Sequence, residues 1–162
     1  MLKALNRLSE EGIVKREDAG NAILFSLNRS HLAAAPVERL VNLREELLDR
    51  LTHEFAAWTV QSVHASLFGS AARGDGSAES DIDIFVVRPA RVKAEDPVWR
   101  GQVERLATHL EDWTGNRASI ADVSEADLPE LSRRRPAIVP DLEADALRLA
   151  GPDVTTLLRG EL

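Results

Sequence analysis

The run Ser80-Asp81-Ile82-Asp83-Ile84-Phe85-Val86-Val87 leaves the chain little choice but a strand. Its second half is β-branched and aromatic, and its first half alternates acid with isoleucine. Side chains two positions apart share a strand face, so Asp81 and Asp83 project together while Ile82, Ile84 and Val86 are offered to a core. Two like charges on one sheet face repel, and burial forces such a pair to protonate or to find a cation. Magnesium meets that need: it takes hard oxygen ligands, commonly one or two carboxylates plus the phosphates of a substrate. Two such ions about 3.5 to 4 Å apart clamp an in-line phosphoryl displacement.

Upstream, the apolar stretch Ser62 to Phe68 reads as a second strand and runs into Gly69-Ser70. Gly69 lets the backbone come close to a ligand, and Ser70 stands where a helix starts, its hydroxyl and neighbouring N–H groups facing a phosphate. Arg73, one turn on, adds a planar cationic fork suited to phosphate or to tying the short helix down.

Gly69-Ser70, ten residues from Ala71 to Ser80, then Asp81-Ile82-Asp83-Ile84 resembles the signature of the polymerase β-like nucleotidyltransferase superfamily. The inner detail, Gly-Ser-x-x-Arg-Gly followed by Ser-Asp-Ile-Asp, is similar to the minimal, antitoxin-type branch. A lone Asp-x-Asp reads equally well as a solvated turn or a structural metal site; the Gly-Ser and the spacing carry the resemblance.

Composition bounds the function. The 162 residues hold one domain, or a compact domain with an appendage, and 44% hydrophobic content supplies a packed core. A net charge of −7 argues against a surface built wholesale for nucleic acid. The absence of cysteine excludes disulfides, thiolate metal sites and cysteine nucleophiles. No apolar run reaches the roughly 18 residues of a membrane span, and Met1-Leu2-Lys3 does not open a signal peptide, so the expectation is a soluble cytoplasmic protein.

Leu2, Leu5 and Leu8 recur at helical spacing until Gly12; Ile13 to Arg16 and Ile23 to Asn28 read as strands joined by a turn. Helix, glycine and ribbon resemble the second half of a winged helix-turn-helix domain, with Lys3, Arg7, Lys15 and Arg16 in reach of phosphates. The two helices that bury such a recognition helix are not in the chain, so residues 1–34 are expected to be a partial winged-helix-like segment. It serves packing or homodimerisation, or it keeps a DNA contact through residues 1–28. An isolated helix of this length is marginal in water and has to pack against something.

Pro36 suits a helix start, and Leu40, Leu43, Leu47, Leu51, Phe55 and Trp58 predict one amphipathic helix about five turns long across the back of the sheet. Arg88 to Lys93 reads as a basic loop, Pro97 opens a helix carrying Trp99, Val103, Leu106, Leu110 and Trp113, and Gly115-Asn116 ends it. Arg117 to Val123 is the third strand. A helix capped by Ser124, a second near Ala137 to Asp145, a closing edge strand at Leu147 to Gly151 and a last helix near Val154 complete residues 35–162. The four histidines have no metal-spaced partner and read as structural or surface residues.

The resemblance implies an α+β fold, helices on a small mixed sheet, for residues 35–162. It implies a metal-dependent transferase that takes ATP or another nucleoside triphosphate with Mg²⁺ or Mn²⁺ and moves a nucleotidyl group, AMP foremost, to a hydroxyl with loss of pyrophosphate. Asp81 and Asp83 ligate the metals; Gly69, Ser70 and Arg73 hold the phosphates. The acceptor is external: a protein such as a toxin, an RNA end or a small-molecule hydroxyl. The family also places a third carboxylate on the third strand, where it assists the attacking hydroxyl. Ser119 stands at that position. Asp122 is the nearest acid, but it lies an odd step away and faces it only if a bulge re-aims the strand. Without a third acid, the alternative is a catalytically weak or inactive nucleotide-binding regulator, or an antitoxin-like partner protein.

Overall fold

A computed structural model describes residues 1–77 and 79–160; Ala78 of the spacer and the last two residues of the domain expected to end at 162 lie outside the described residues. The chain forms two compact units, Met1–Glu45 and Glu46–Leu162. The first holds helix α1 (Leu2–Glu10), strands β1 (Val14–Ala19) and β2 (Ala22–Leu27) and helix α2 (Ala34–Val41). β1 and β2 pair antiparallel around a two-residue turn, Ala19 opposite Ala22 and Val14 opposite Leu27. At the open end of the ribbon, the Asn28 side-chain amide donates to the Gly12 carbonyl and the Asn28 N–H to the Ile13 carbonyl, both at 2.9 Å. Little is buried here: Ala34 alone of the unit's apolar residues belongs to the core.

The single long helix expected from Pro36 onward is two helices, α2 and α3 (Leu43–Ala56). Asn42 separates them, its N–H donating back to the Glu38 and Arg39 carbonyls as a helix terminus does. Asparagine is a poor interior helix residue because its side chain competes for backbone groups. The leucine stripe divides at the same place: Leu40 and Leu43 are exposed, whereas Leu51, Phe55 and Trp58 are buried.

The second unit is built on a mixed four-stranded sheet of order β5-β4-β3-β6, from β3 (His64–Phe68), β4 (Ile82–Arg88), β5 (Ala118–Ser124) and β6 (Leu147–Ala150). β3 is antiparallel to β4 and β6, and β4 is parallel to β5. Alternation along β4 feeds two cores. Ile82, Ile84 and Val86 join Leu51, Phe55, Trp58 and the residues Trp99, Leu106 and Leu110 of α5 (Pro97–Thr114). Phe85 and Val87 face the other way, onto Leu128 of α6 (Leu128–Arg134), Val139 and Leu142 of α7 (Ile138–Asp145) and Val154, Leu157 and Leu158 of α8 (Val154–Arg159). Both sheet faces are therefore covered, which accounts for the unbroken aliphatic run at the end of β4. No helix among the described residues is long and apolar enough to cross a membrane.

The start of α5 is set by Asp96, whose carboxylate accepts from the Val98 and Trp99 N–H groups, with Pro97 in the first turn. Gln102 is buried and clamps the Val60 backbone through both amide atoms, at 2.9 and 3.0 Å. Arg88, expected in a basic loop, ends β4 instead and is buried. Its Nε donates to the Val92 carbonyl and its Nη1 to Asp122, whose other oxygen accepts from Trp99 Nε1 at 2.9 Å. On β3, buried His64 donates from Nδ1 to the Pro152 carbonyl at 2.7 Å and accepts at Nε2 from the Ser66 hydroxyl at 3.0 Å, so the neutral ring satisfies both neighbours.

Two outcomes follow. Asp122→Ala strands a buried guanidinium and an indole N–H, and the urea midpoint should report a loss of about 2–4 kcal/mol. Burial holds the His64 pKa below its ordinary 6.5. The unfolded chain therefore takes up a proton that the folded chain refuses, so the stability His64 contributes is complete above about pH 6.5 and falls as the pH drops below it. Urea titrations at about pH 7.5 and 5.5 should show this loss in the native chain and a smaller one in His64→Gln.

Candidate active site

β3 runs out at Phe68, whose register partner on β4 is Asp83, and the chain turns at Gly69 into the short helix α4 (Gly69–Arg73). Gly69 has φ +70°, and a Cβ built there would stand 2.6 Å from Asp83 Oδ2. Only glycine combines that backbone angle with that approach. The Asp83 carboxylate is thus pressed against the turn that presents Ser70. α4 has five residues, so its dipole amounts to little more than one turn. The Ser70 carbonyl accepts from the Gly74 and Asp75 N–H groups, at 2.9 and 3.1 Å, and the spacer then folds back so that a Cβ on Gly76 would lie 3.4 Å from Ser70 Oγ. Asn116 fastens the far end of that loop, donating to the Ser80 carbonyl at 2.8 Å and the Ser77 carbonyl at 3.2 Å.

Asp81 is exposed just ahead of β4, and Asp83 is half-buried within it. The Asp83 pKa is raised above the ordinary carboxylate value of 3.8, first by burial and further by the charges of Asp81 and of Asp141 on α7; a hydrogen bond from Ser119 and the charge of Arg73 oppose the rise. A carboxylate so placed gains from a cation. Two hard-oxygen donors two positions apart fit a divalent ion that draws its other ligands from phosphates or water. Among the described residues no group of three or more His, Asp or Glu side chains converges as a metal cage.

Ser119 sits beside Asp83 in the parallel register of β4 and β5, and Asp122 sits beside Val86. That register runs unbroken from Ala118 to Ser124, with no bulge to turn Asp122 over. Its carboxylate lies on the α5 face, engaged by Arg88 and Trp99, and the structure does not bring it to Asp83. Arg73 is engaged as well: its Nε donates to Asp75 at 3.1 Å and its Nη1 to Asp145 of α7 at 2.5 Å. Nothing local in the sequence ties Asp141 and Asp145 of α7 to a motif about seventy residues earlier, and the Gly115-Asn116 helix end gives no sign that Asn116 reaches the spacer. Ser119 stands out in the sequence, but as the place of a missing acid rather than as the donor to Asp83.

No curated protein matches the chain. Three solved structures resemble it at low similarity. One is a toxin-antitoxin with AMP-PNP (16% identity, 70% of this chain and 82% of that one, TM-score 0.44). The second is a mutant of the toxin-antitoxin MntA-HpeT (16%, 72% and 82%, 0.41). The third is a candidate nucleotidyltransferase from Sulfolobus solfataricus (19%, 69% and 83%, 0.39). Likeness at that level is weak, and the assignment stands on the family model for the nucleotidyltransferase domain, which matches residues 44–143. That span is more than half of the chain and contains the Gly69-Ser70 turn and both alternating aspartates, and the chain belongs to the nucleotidyltransferase domain family.

Proposed function

We propose that the chain binds a nucleoside triphosphate with Mg²⁺ or Mn²⁺ at the Gly69–Asp83 corner. It then transfers a nucleotidyl group, AMP from ATP foremost, to a hydroxyl of an external acceptor with release of pyrophosphate. The observation that carries this reading is the approach of Asp83 to Gly69, a half-buried carboxylate under repulsion from Asp81 and Asp141 and held beside Ser70. Asp81 and Asp83 hold the ion, which when bound supplies charge neutralisation at the phosphates. The Gly69 backbone and the Ser70 hydroxyl orient the outer phosphates. Arg73, already balanced by Asp75 and Asp145, keeps α4 against α7 and meets a phosphate only by exchanging one of those partners. Asp122 serves as a base only after release from Arg88 and Trp99. The acceptor class remains a protein, an RNA end or a small-molecule hydroxyl.

The serine beside Asp83 favours a second reading, a nucleotide-binding regulator or antitoxin-like partner with weak or no turnover, because Ser119 cannot take a proton from an attacking hydroxyl. Pyrophosphate release from each of the four triphosphates, measured with Mg²⁺ or Mn²⁺ and a panel of acceptors, separates the two. Transfer that falls about a hundredfold or more in Asp81→Asn and Asp83→Asn supports the enzyme. Tight ATP binding by calorimetry with no pyrophosphate supports the regulator, and no nucleotide binding at all sinks both.

Gly69→Ala tests the corner itself. A methyl group at positive φ and against Asp83 should cost about 1–3 kcal/mol of stability and displace the carboxylate. Calorimetry should then show Mn²⁺ and nucleotide affinity lost in a chain that remains folded by circular dichroism.

A further inference from the structure

Nine of the ten large apolar side chains exposed among the described residues fall within Met1–Glu45, although that unit is little more than a quarter of the chain. Helix α1 buries none of its residues. One face of the ribbon, Val14, Phe25 and Leu27, looks onto Leu5 of α1 and Val37 and Val41 of α2, and between them lies a cleft of about 690 Å³. A ridge adjoins the cleft: Leu40 is 66% exposed, Val41 76% and Leu43 55%. An apolar surface of this kind, with a hole and a knob side by side, marks an interface rather than a solvated face.

Charge decides what covers it. Residues 1–45 carry seven basic and six acidic side chains, leaving 13 basic and 21 acidic of the chain's 20 and 27 for the remainder. A nucleic-acid face requires an excess of lysine and arginine, and this unit has almost none. An acidic or basic protein partner is equally unprovided for. A nearly neutral patch of mixed sign can meet its own copy without repulsion, and a two-fold contact asks that hole and knob lie on the same patch so that each copy fills the other.

We infer that Met1–Glu45 is a homodimerisation module: two copies of the chain pair through this unit, the Leu40–Leu43 ridge of each entering the cleft bounded by Leu5, Phe25 and Val37 of the other. The ribbon and its two helices bury little by themselves, and pairing covers the apolar surface they leave exposed. The inference is independent of the transferase reading, since every residue it uses lies in the first unit.

Sedimentation equilibrium of the full chain from about 1 to 100 μM tests it. The expected mass is twice 17.8 kDa. Val41→Asp and Leu40→Glu, both at exposed positions that the monomer can tolerate, should weaken the dimer by about tenfold or more while circular dichroism and Tm at low concentration stay unchanged. Val98→Asp, at the one large apolar residue exposed among the described residues of the second unit, should leave the mass as it was. A monomer throughout the range overturns the inference, as does a dimer indifferent to Val41→Asp and Leu40→Glu. A monomer that shifts duplex DNA in a salt-dependent way overturns it in favour of nucleic acid.

Discussion

The second unit depends on one unfavourable contact, a carboxylate brought against the backbone of a turn. Asp83 can stand there because Gly69 has no Cβ and takes φ +70°. Everything around it holds the contact in place. Phe68 and Asp83 are register partners, so β3 and β4 cannot slide without parting the turn from the acid. The cores on both sheet faces fix that register, because a slip of one residue would send Ile84 and Val86 to the face of Phe85 and Val87. The stability of the two cores is thus spent partly on keeping like charges together.

The same alternation separates the acids into two kinds. Asp83 and Ser119 occupy one face of neighbouring parallel strands; Asp122, three residues after Ser119, occupies the other. There it completes a network in which Arg88 is buried and Trp99 finds an acceptor. Asp122 has both oxygens engaged by donors, whereas Asp83 is half-buried and faces the charges of Asp81 and Asp141, a setting that a cation would relieve. Distance along the sequence hides this difference, and strand parity reveals it.

What was legible in the sequence follows from the range of the interactions. The strands of the four-stranded sheet, the Pro97 start of α5 and the Gly69 turn are written in local chemistry, and period two alone sets Asp83 on the opposite face from Ile82 and Ile84. The break at Asn42 was not legible, because the leucine spacing continues through it; only burial distinguishes Leu51 and Phe55 from Leu40 and Leu43. Arg88 looked like a loop cation because its partners are a carboxylate 34 positions on and a carbonyl on the following turn. The support of the site from α7 was hidden for the same reason: Asp145 meets Arg73 across 72 residues.

That long-range pair bears on how the corner is organised. Arg73 is 43% exposed at its side chain and faces two carboxylates, so in water the pair with Asp75 adds little on its own. Asp145 is more sheltered, at 18%, and it sits one helical turn beyond Asp141, whose charge adds, after burial and Asp81, to the rise of the Asp83 pKa. One cation therefore fixes the helix that carries an additional negative charge toward Asp83. An arginine placed only to neutralise phosphate would have no need of Asp145. The arrangement instead sets Asp141 to add its charge to that of Asp81 around a half-buried Asp83, the negative field on which the proposed binding of a divalent ion with a nucleotide rests.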